Sequence, residues 1–395
     1  MARLSNSFIG KSLCALSVFA MTACGTPRNA ATHASDTGKG GRMSFALNLF
    51  TEALRESRSE SENVVVSPYS AGVALSMLAG GAAGETEKEL SEALSHASYA
   101  GDRLVSSKNA TVSSANSLWI KKGFSVKPEY KSMLSDSYGT MISERDFSDR
   151  STVREINGWC SEKTSGKIPQ IVDELNPDMV MLLVNALYFK SSWEYEFAKE
   201  NTYDEVFHSP SGDSKVPFMH LTRKFQYRET EGCRYVVLPY KSDEYRMVIC
   251  LPAEGKTTSE VLSSADTAAF KGAVTGGAET KVALSLPKFK VNTALNLNGI
   301  LASMGVRKAF SQGADFSGIT GSSVAVDEVR QKCFVEVDEE GAEAAAVTSI
   351  GIRLTSAMPE DRPVNMRVNR PFFFAIVDSA GSDILFIGRI GKIEK

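Results

Sequence analysis

Two hydrophobic periods divide this chain into helical and extended stretches. Ser67-Pro68 puts a capping hydroxyl ahead of a proline at the first helical position, and the apolar stretch 69–78 behind it predicts a helix stopped by Gly80 and Gly81. Thr86 with Glu89 forms a capping box for a short helix ending near Leu94. Residues 152–164 predict another helix, closed by Gly166, and Asn292 or Thr293 opens one more that runs to Gly305. Strand-like runs fall at residues 112–120, 179–189, 235–238, 246–251, 281–291, 324–337, 371–377 and 384–387. Several lack strict alternation, which predicts strands covered on both faces. The order predicts a mixed α+β architecture of large sheets with helices packed on them.

The first residues follow neither period. Arg3 and Lys11 precede the apolar run 13–21, which ends in Thr22-Ala23-Cys24-Gly25 and is too short to span a bilayer as a permanent helix. Small residues before Cys24 resemble the lipobox of bacterial lipoproteins, in which the cysteine is diacylated, although Met21 stands where leucine is usual. The other reading is an ordinary cleaved signal that contains Cys24. The lipidated reading gives a signal peptide at 1–23, a flexible tether at 24–42 rich in small and polar residues, and a single folded domain at 43–395. Acyl chains on Cys24 would hold the protein on a membrane, each buried methylene adding about 0.8 kcal/mol. The expected location is therefore outside the cytoplasm, anchored to a bacterial membrane. Gly25 rather than Asp after Cys24 favours the outer membrane or cell surface.

Composition excludes more than it assigns. The 395 residues carry a net charge of -3, with 43% hydrophobic and 23% charged content, so no general attraction to nucleic acid is expected. There is no internal repeat, and a monomer is expected. Of the six cysteines, Cys160, Cys233, Cys250 and Cys333 remain after Cys14 and Cys24, without CxxC spacing; free, mostly buried thiols are expected. His33 falls in the tether, and His96, His208 and His220 stand alone in the sequence, without a HExxH pattern. No GxSxG elbow or phosphate loop is present, and Lys167 after Gly166 lacks the earlier loop glycine. Asp338-Glu339-Glu340 reads as a solvated charge run. Enzyme chemistry, a metal and a cofactor thus have no anchor in the sequence.

The unusual segment is Glu339-Glu340-Gly341-Ala342-Glu343-Ala344-Ala345-Ala346-Val347-Thr348-Ser349-Ile350-Gly351-Ile352. Read as a strand, Ala342, Ala344, Ala346, Thr348, Ile350 and Ile352 share one face, first small and then apolar. No proline deletes a ladder hydrogen bond. The alanines alone would favour helix or a mobile loop, so the segment suits a loop in one state and a central strand in another. Downstream, residues 353–363 are polar, aperiodic and bounded by prolines, as in an exposed connection.

Glu339 to Ala346 resembles the hinge of inhibitory serpins, where Glu-Glu-Gly is followed by a small residue, Glu and alanines. Asn63-Val64-Val65-Val66-Ser67-Pro68-Tyr69-Ser70, Asn185-Ala186-Leu187-Tyr188-Phe189-Lys190 with Trp193, Leu286-Pro287-Lys288-Phe289-Lys290, Ala314-Asp315-Phe316-Ser317-Gly318-Ile319, and Arg370-Pro371-Phe372 with Gly388-Arg389 are similar to serpin signatures in the same order. The resemblance covers essentially everything after Met43. It implies a metastable fold with three β-sheets, about nine helices and an exposed reactive-centre loop. It also implies a suicide-substrate function: a serine peptidase, or a cysteine peptidase, cleaves the loop, and the freed loop inserts into the large sheet before the acyl-enzyme is hydrolysed. Non-inhibitory members, which act as carriers or binding modules, commonly carry a charged or bulky residue where Ala342 stands, or lack the alanines.

The resemblance also assigns roles. Ser67, Ser70 and Asn185 match residues beneath the sheet that govern its opening, and Trp193 matches the tryptophan at its top. Gln331 replaces a histidine common there; its amide both donates and accepts, so a bond to Asn185 is expected, without imidazole titration. Taking Glu339 as the seventeenth residue before the cleaved bond places that bond between Thr355 and Ser356, whereas counting back eleven from Pro371 gives Glu360. The hinge count is preferred because insertion mechanics constrain it. Thr355 suits elastase-like and subtilisin-like peptidases; Arg353 and Leu354 are the alternatives for trypsin-like and chymotrypsin-like ones.

Overall fold

The computed structural model describes residues 37–101, 104, 106–264, 270, 272, 277–342 and 362–394. Its polypeptide forms the α+β fold expected, with seven α-helices among the described residues against the about nine implied. They are α1 (Thr37–Glu56), α2 (Pro68–Ala79), α3 (Gly84–Ala93), α4 (Pro128–Tyr138), α5 (Arg150–Lys163), α6 (Thr258–Ser264) and α7 (Asn298–Ser303).

The strands divide among three sheets. The largest runs in the order β1 (Val64–Val66), β15 (Ile384–Ile390), β14 (Phe372–Asp378), β8 (Tyr245–Pro252), β7 (Cys233–Pro239), β6 (Ser214–Glu229), β9 (Ala278–Pro287) and β13 (Val364–Arg367), with β5 (Thr202–Phe207) also paired to β6. A second sheet orders β12 (Gly341–Ala342), β4 (Met181–Ser192), β2 (Ala110–Lys121) and β3 (Met141–Arg145). The third is the antiparallel pair β10 (Phe289–Asn296) and β11 (Arg330–Val337).

The unalternating runs of β14 and β15 are buried along almost their whole length, because helices cover the face that a polar set would otherwise wet. Phe45, Leu49 and Phe50 of α1 and Leu75 of α2 join Phe374 and Phe386 in that core, each at most 2% exposed. Ser67 caps α2 as its spacing predicts, its hydroxyl accepting from the Ser70 N–H. Gly388 is required by closeness: a Cβ there would lie 2.7 Å from Phe374 Cε1 and 2.9 Å from the Val64 carbonyl oxygen.

Several boundaries differ from the sequence expectations. Helix α1 begins at Thr37, ahead of Met43, because Arg42 pairs with Asp383 at 3.1 Å and lies over the Tyr99 ring, drawing a glycine-rich stretch onto the domain. The capping box does not form: α3 starts at Gly84, Thr86 accepts from the Asp315 N–H, and Glu89 accepts from the Arg307 and Lys308 N–H groups. Both side chains thus serve a distant loop. No helix opens at Asn292 or Thr293, since β10 continues to Asn296 in full register with β11 and the helix begins only at Asn298. The 281–291 run is two strands parted at Lys288, and of 324–337 only 330–337 is strand. All four cysteines, Cys160, Cys233, Cys250 and Cys333, are free and buried.

Replacing Gly388 by alanine should destabilise the protein by about 1–3 kcal/mol, since backbone faces the added methyl. A lowered urea midpoint with the same far-ultraviolet spectrum is the expected result.

Candidate functional site

Strands β4 and β11 lie side by side, yet among the described residues no ladder joins them. At one end Tyr188 and Phe189 face Phe334 and Val335 across a void of about 10 Å³. At the other end Met181, Leu183 and Asn185 face Val329 and Gln331 across a cavity of about 360 Å³. Low numbers meet low and high meet high, so the two strands are parallel. Each presents a backbone edge to the other, and Ala71 of α2 lines the cavity beneath.

Side chains bridge what the backbone leaves open. The Gln331 carbonyl oxygen accepts from the Ser67 N–H at 2.9 Å, and its amide nitrogen donates to the Ser67 carbonyl at 2.8 Å. The Ser70 hydroxyl donates to the Asn185 side-chain oxygen, and the Asn185 amide donates to Asn116 Oδ1 at 2.5 Å. Asn116 in turn donates to the Tyr138 carbonyl at 2.9 Å. A continuous polar line therefore runs from β2 through β4 and the start of α2 to β11. The expected bond between Gln331 and Asn185 is absent: the Ser67 main chain uses both ends of the Gln331 amide, and Ser70 and Asn116 hold Asn185. Asn116 was not legible as a participant, because a lone asparagine within a strand carries no spacing signal.

At the upper end the chain turns back on itself. Asp338 Oδ1 accepts from the Glu340 N–H at 3.0 Å and the Gly341 N–H at 3.2 Å. Gly341 has φ +136°, in the region that favours glycine, and a Cβ there would sit 2.3 Å from the Ser191 carbonyl oxygen. The reversal lets Gly341 and Ala342 pair antiparallel with Ser192 and Ser191. Trp193 seals this corner. It is 1% exposed, stacks on Tyr240 at 4.6 Å, donates from its indole to the Asp338 carbonyl at 2.9 Å and from its backbone to the Glu340 carbonyl at 3.0 Å.

Charge fastens the turn. Lys288 lies 2.7 Å from Glu339, and Lys199 lies 2.6 Å from Glu340. Burial opposes ionisation of Glu339, but Lys288 and neighbouring hydrogen bonds outweigh it and hold the carboxyl below its usual range. Burial pushes Asp338 up despite its two backbone donors. The acidic triplet is thus an anchored turn and not a solvated run. Lys288, the residue between β9 and β10, fell inside a signature motif without a role of its own. Glu343, Ala344, Ala345, Ala346, Arg353, Leu354, Thr355, Ser356 and Cys24 lie outside the described residues.

His220 does not stand alone in space. Its Nε2 lies 2.9 Å from Glu205 Oε1 and 3.0 Å from Ser285 Oγ, and its Nδ1 lies 2.9 Å from the Asn201 carbonyl. Serine and carboxylate share one ring nitrogen, whereas a hydrolytic relay needs them on opposite nitrogens.

The site is thus a parallel strand pair with no ladder between its members among the described residues, and a reversed turn paired to β4 at one end. The serpin family model, described as serine protease inhibitor, matches residues 41–393, and the chain belongs to that family. An uncharacterized serpin-like protein of Thermococcus kodakarensis is 35% identical over 87% of this chain and 84% of its own length. Among solved structures, the thermophilic serpin Tengpin in its native state superposes with TM-score 0.83 at 31% identity, covering 92% of this chain and 96% of that one. Human thyroxine-binding globulin, in a ligand complex, superposes with TM-score 0.79 at 25% identity, covering 90% of this chain and 98% of that one.

Replacing Gln331 by alanine leaves the buried Ser67 N–H without a partner, while the Ser67 carbonyl keeps the Ala71 N–H, at a cost of about 1–3 kcal/mol in urea unfolding. The depressed carboxyl of Glu339 contributes stability that is present above its unfolded value near pH 4.5 and lost as pH falls through the folded value. The raised Asp338 has the opposite sign. Glu339→Gln should therefore lower the thermal midpoint at neutral pH, and the deficit should shrink below about pH 4.5.

Proposed function

We propose that this protein inhibits serine peptidases as a suicide substrate, and that insertion of the cleaved loop between β4 and β11 is what traps the enzyme. The observation that carries this reading is the seated hinge at the head of an unpaired strand gap. Extending its register, with Gly341 opposite Ser192 and Ala342 opposite Ser191, sets Thr348 opposite Asn185, Ile350 opposite Leu183 and Ile352 opposite Met181. Those three β4 residues line the larger cavity, so the apolar end of the arm meets the apolar space and the small residues pass the crowded top. Each backbone hydrogen bond gained contributes about 1 kcal/mol net, and a dozen inserted residues therefore gain on the order of 10 kcal/mol.

The peptidase's nucleophilic oxygen attacks the carbonyl carbon of the residue before the scissile bond, forms an ester and expels the amine that follows. Insertion then competes with hydrolysis of that ester. The scissile bond in this reading is Thr355-Ser356, which suits elastase-like and subtilisin-like enzymes; cleavage after Arg353 or Leu354 is the trypsin-like or chymotrypsin-like alternative, and cysteine peptidases belong to the same test. We further propose that Cys24 is lipidated and that the domain acts on the outside of a bacterial cell. A non-inhibitory role, in which the fold serves as a binding module, is the second reading, favoured only by the likeness to thyroxine-binding globulin.

Mixing the purified protein with these peptidases should give complexes that survive denaturation, plus a peptide beginning at Ser356. Cleavage without complexes favours the binding-module reading. Ala342→Arg should convert the inhibitor into a substrate, because its place in the inserted strand would bury an unpaired charge; undiminished trapping by that variant would falsify the insertion argument.

A further inference from the structure

Two of the four buried cysteines are neighbours. Cys233 opens β7 opposite Pro252, and Cys250 of β8 stands opposite Tyr235, so the two cysteines share one face of the sheet, a single diagonal step apart. Their thiols hydrogen-bond each other, and the Tyr235 hydroxyl bonds both sulfurs. The other two are placed differently: Cys160 packs in the cluster of Trp119, Ile156 and Ile168, and Cys333 bonds the Gln331 side chain.

The surroundings give the paired sulfurs different parts. Cys250 above all, then Tyr235 and Thr230, bring the Cys233 thiol below its usual range despite burial, and the Thr230 hydroxyl lies 3.7 Å from the sulfur. Cys250 is driven upward, first by its bond to Cys233 and then by burial. One sulfur is thus prepared to attack and the other waits as a thiol. Burial pushes Cys160 up to about 11 and Cys333 up to about 12, which leaves both unreactive at neutral pH.

Joining the pair asks for a small movement. Diagonal neighbours lie about 7–8 Å apart between α-carbons, and a disulfide spans about 4.4–6.8 Å, so the strands must approach by roughly 1 Å. The chain yields at this end. Both main-chain groups of Cys233 bond Thr230, its N–H donating to the hydroxyl at 3.2 Å and its carbonyl accepting from the Thr230 N–H at 2.9 Å. Pro252 opposite has no N–H to offer, so no ladder bond has to break here. Cys233 follows the turn at Glu231 and Gly232, while Cys250 borders an apolar cavity of about 50 Å³ with Phe50, Val261 and Phe373. The turn can shift, and the cavity gives the second sulfur room to rotate.

We propose that Cys233 and Cys250 form a reversible disulfide site, closed by exchange with a small external disulfide such as oxidised glutathione. The Cys233 thiolate attacks one sulfur of that molecule, forming a mixed disulfide and releasing a glutathione thiolate. The released thiolate takes the Cys250 proton, and Cys250 then attacks the Cys233 sulfur and expels the second glutathione thiolate. Two protein thiols are oxidised, and one small disulfide is reduced to two thiols. The bond would close the chain from Cys233 to Cys250 and restrict the unfolded state, so the oxidised form should resist unfolding. Such a site suits an oxidising compartment, and it does not depend on which peptidase, if any, the loop serves.

The test exposes the full folded protein to oxidised glutathione at neutral pH, quenches it with an alkylating reagent and maps the linked peptides. One link, Cys233 to Cys250, is expected, with the loss of two titratable thiols and a raised urea midpoint that dithiothreitol reverses. Cys250→Ser should keep glutathione on Cys233, since no second thiol remains to displace it, whereas Cys233→Ser should gain neither a link nor glutathione at Cys250. Modification of Cys233 should be roughly tenfold or more faster than that of Cys160 or Cys333. First modification at Cys160 or Cys333, a link that forms only in denaturant, or a folded protein in which Cys233 and Cys250 stay unmodified overturns the proposal. Should Cys250→Ser fail to fold, Cys250→Ala and the wild-type peptide map decide.

Discussion

Everything in this molecule is arranged around two parallel backbone edges that face each other without pairing. Unpaired N–H and carbonyl groups in a protein interior are costly, and native structures leave few of them. Here the cost is concentrated along β4 and β11, where a single additional strand would remove it. The other sides of these strands, β4 toward β2 and β11 toward β10, are laddered. The defect is therefore directional: one strand running antiparallel to both neighbours fits it, and β12 already has that direction where it pairs with β4.

Such a state persists only if opening and filling are slow, and the side chains supply that resistance. Ser67 and Ser70, one turn of α2, fasten one strand each, so separating β4 from β11 must break a bond to Gln331 or to Asn185. Gln331 gives this bridge a different character from an imidazole: the amide engages both main-chain groups of Ser67 and carries no titrating proton. The charged contacts sit elsewhere, at Lys288 with Glu339 and Lys199 with Glu340, where they fix the turn that leads into β12. Neutral bonds hold the end of the gap at Asn185 and Gln331, and ionic ones hold the turn at its other end.

Most of the strand runs and the cap of α2 could be read from the sequence because each rests on neighbours in the chain. Ser67 contacts the Ser70 N–H, three residues on, and a glycine at 341 marks a turn that no side chain tolerates. What could not be read depends on partners far away. Thr86 and Glu89 have the spacing of a capping box, yet residues 307, 308 and 315 claim them. Asn292 and Thr293 look like a helix start, but the ladder with β11 holds them extended, a case of tertiary pairing overriding local preference. His220 looked solitary for the same reason, since Glu205 and Ser285 reach it only through strand registers set by the whole sheet.

The length of β4 bears on the one position the sequence left divided. Counting from Glu339 and counting back from Pro371 place the scissile bond five residues apart, at Thr355 or after Glu360. The strand register removes the symmetry between the two counts. With Ala342 opposite Ser191, the same register continued in an inserted strand would bring Ile352 opposite Met181, the first residue of β4. Cleavage after Thr355 would leave three residues beyond that end, enough for an acylated peptidase to be drawn to the far pole. Cleavage after Glu360 would leave eight, including Pro359, with no strand beside them and slack enough to relax the strain on the ester bond. Tension is transmitted only by a short tether, so under the proposed inhibitory reading the hinge count is the preferred one, with the additional residues falling after the bond, between Ser356 and β13.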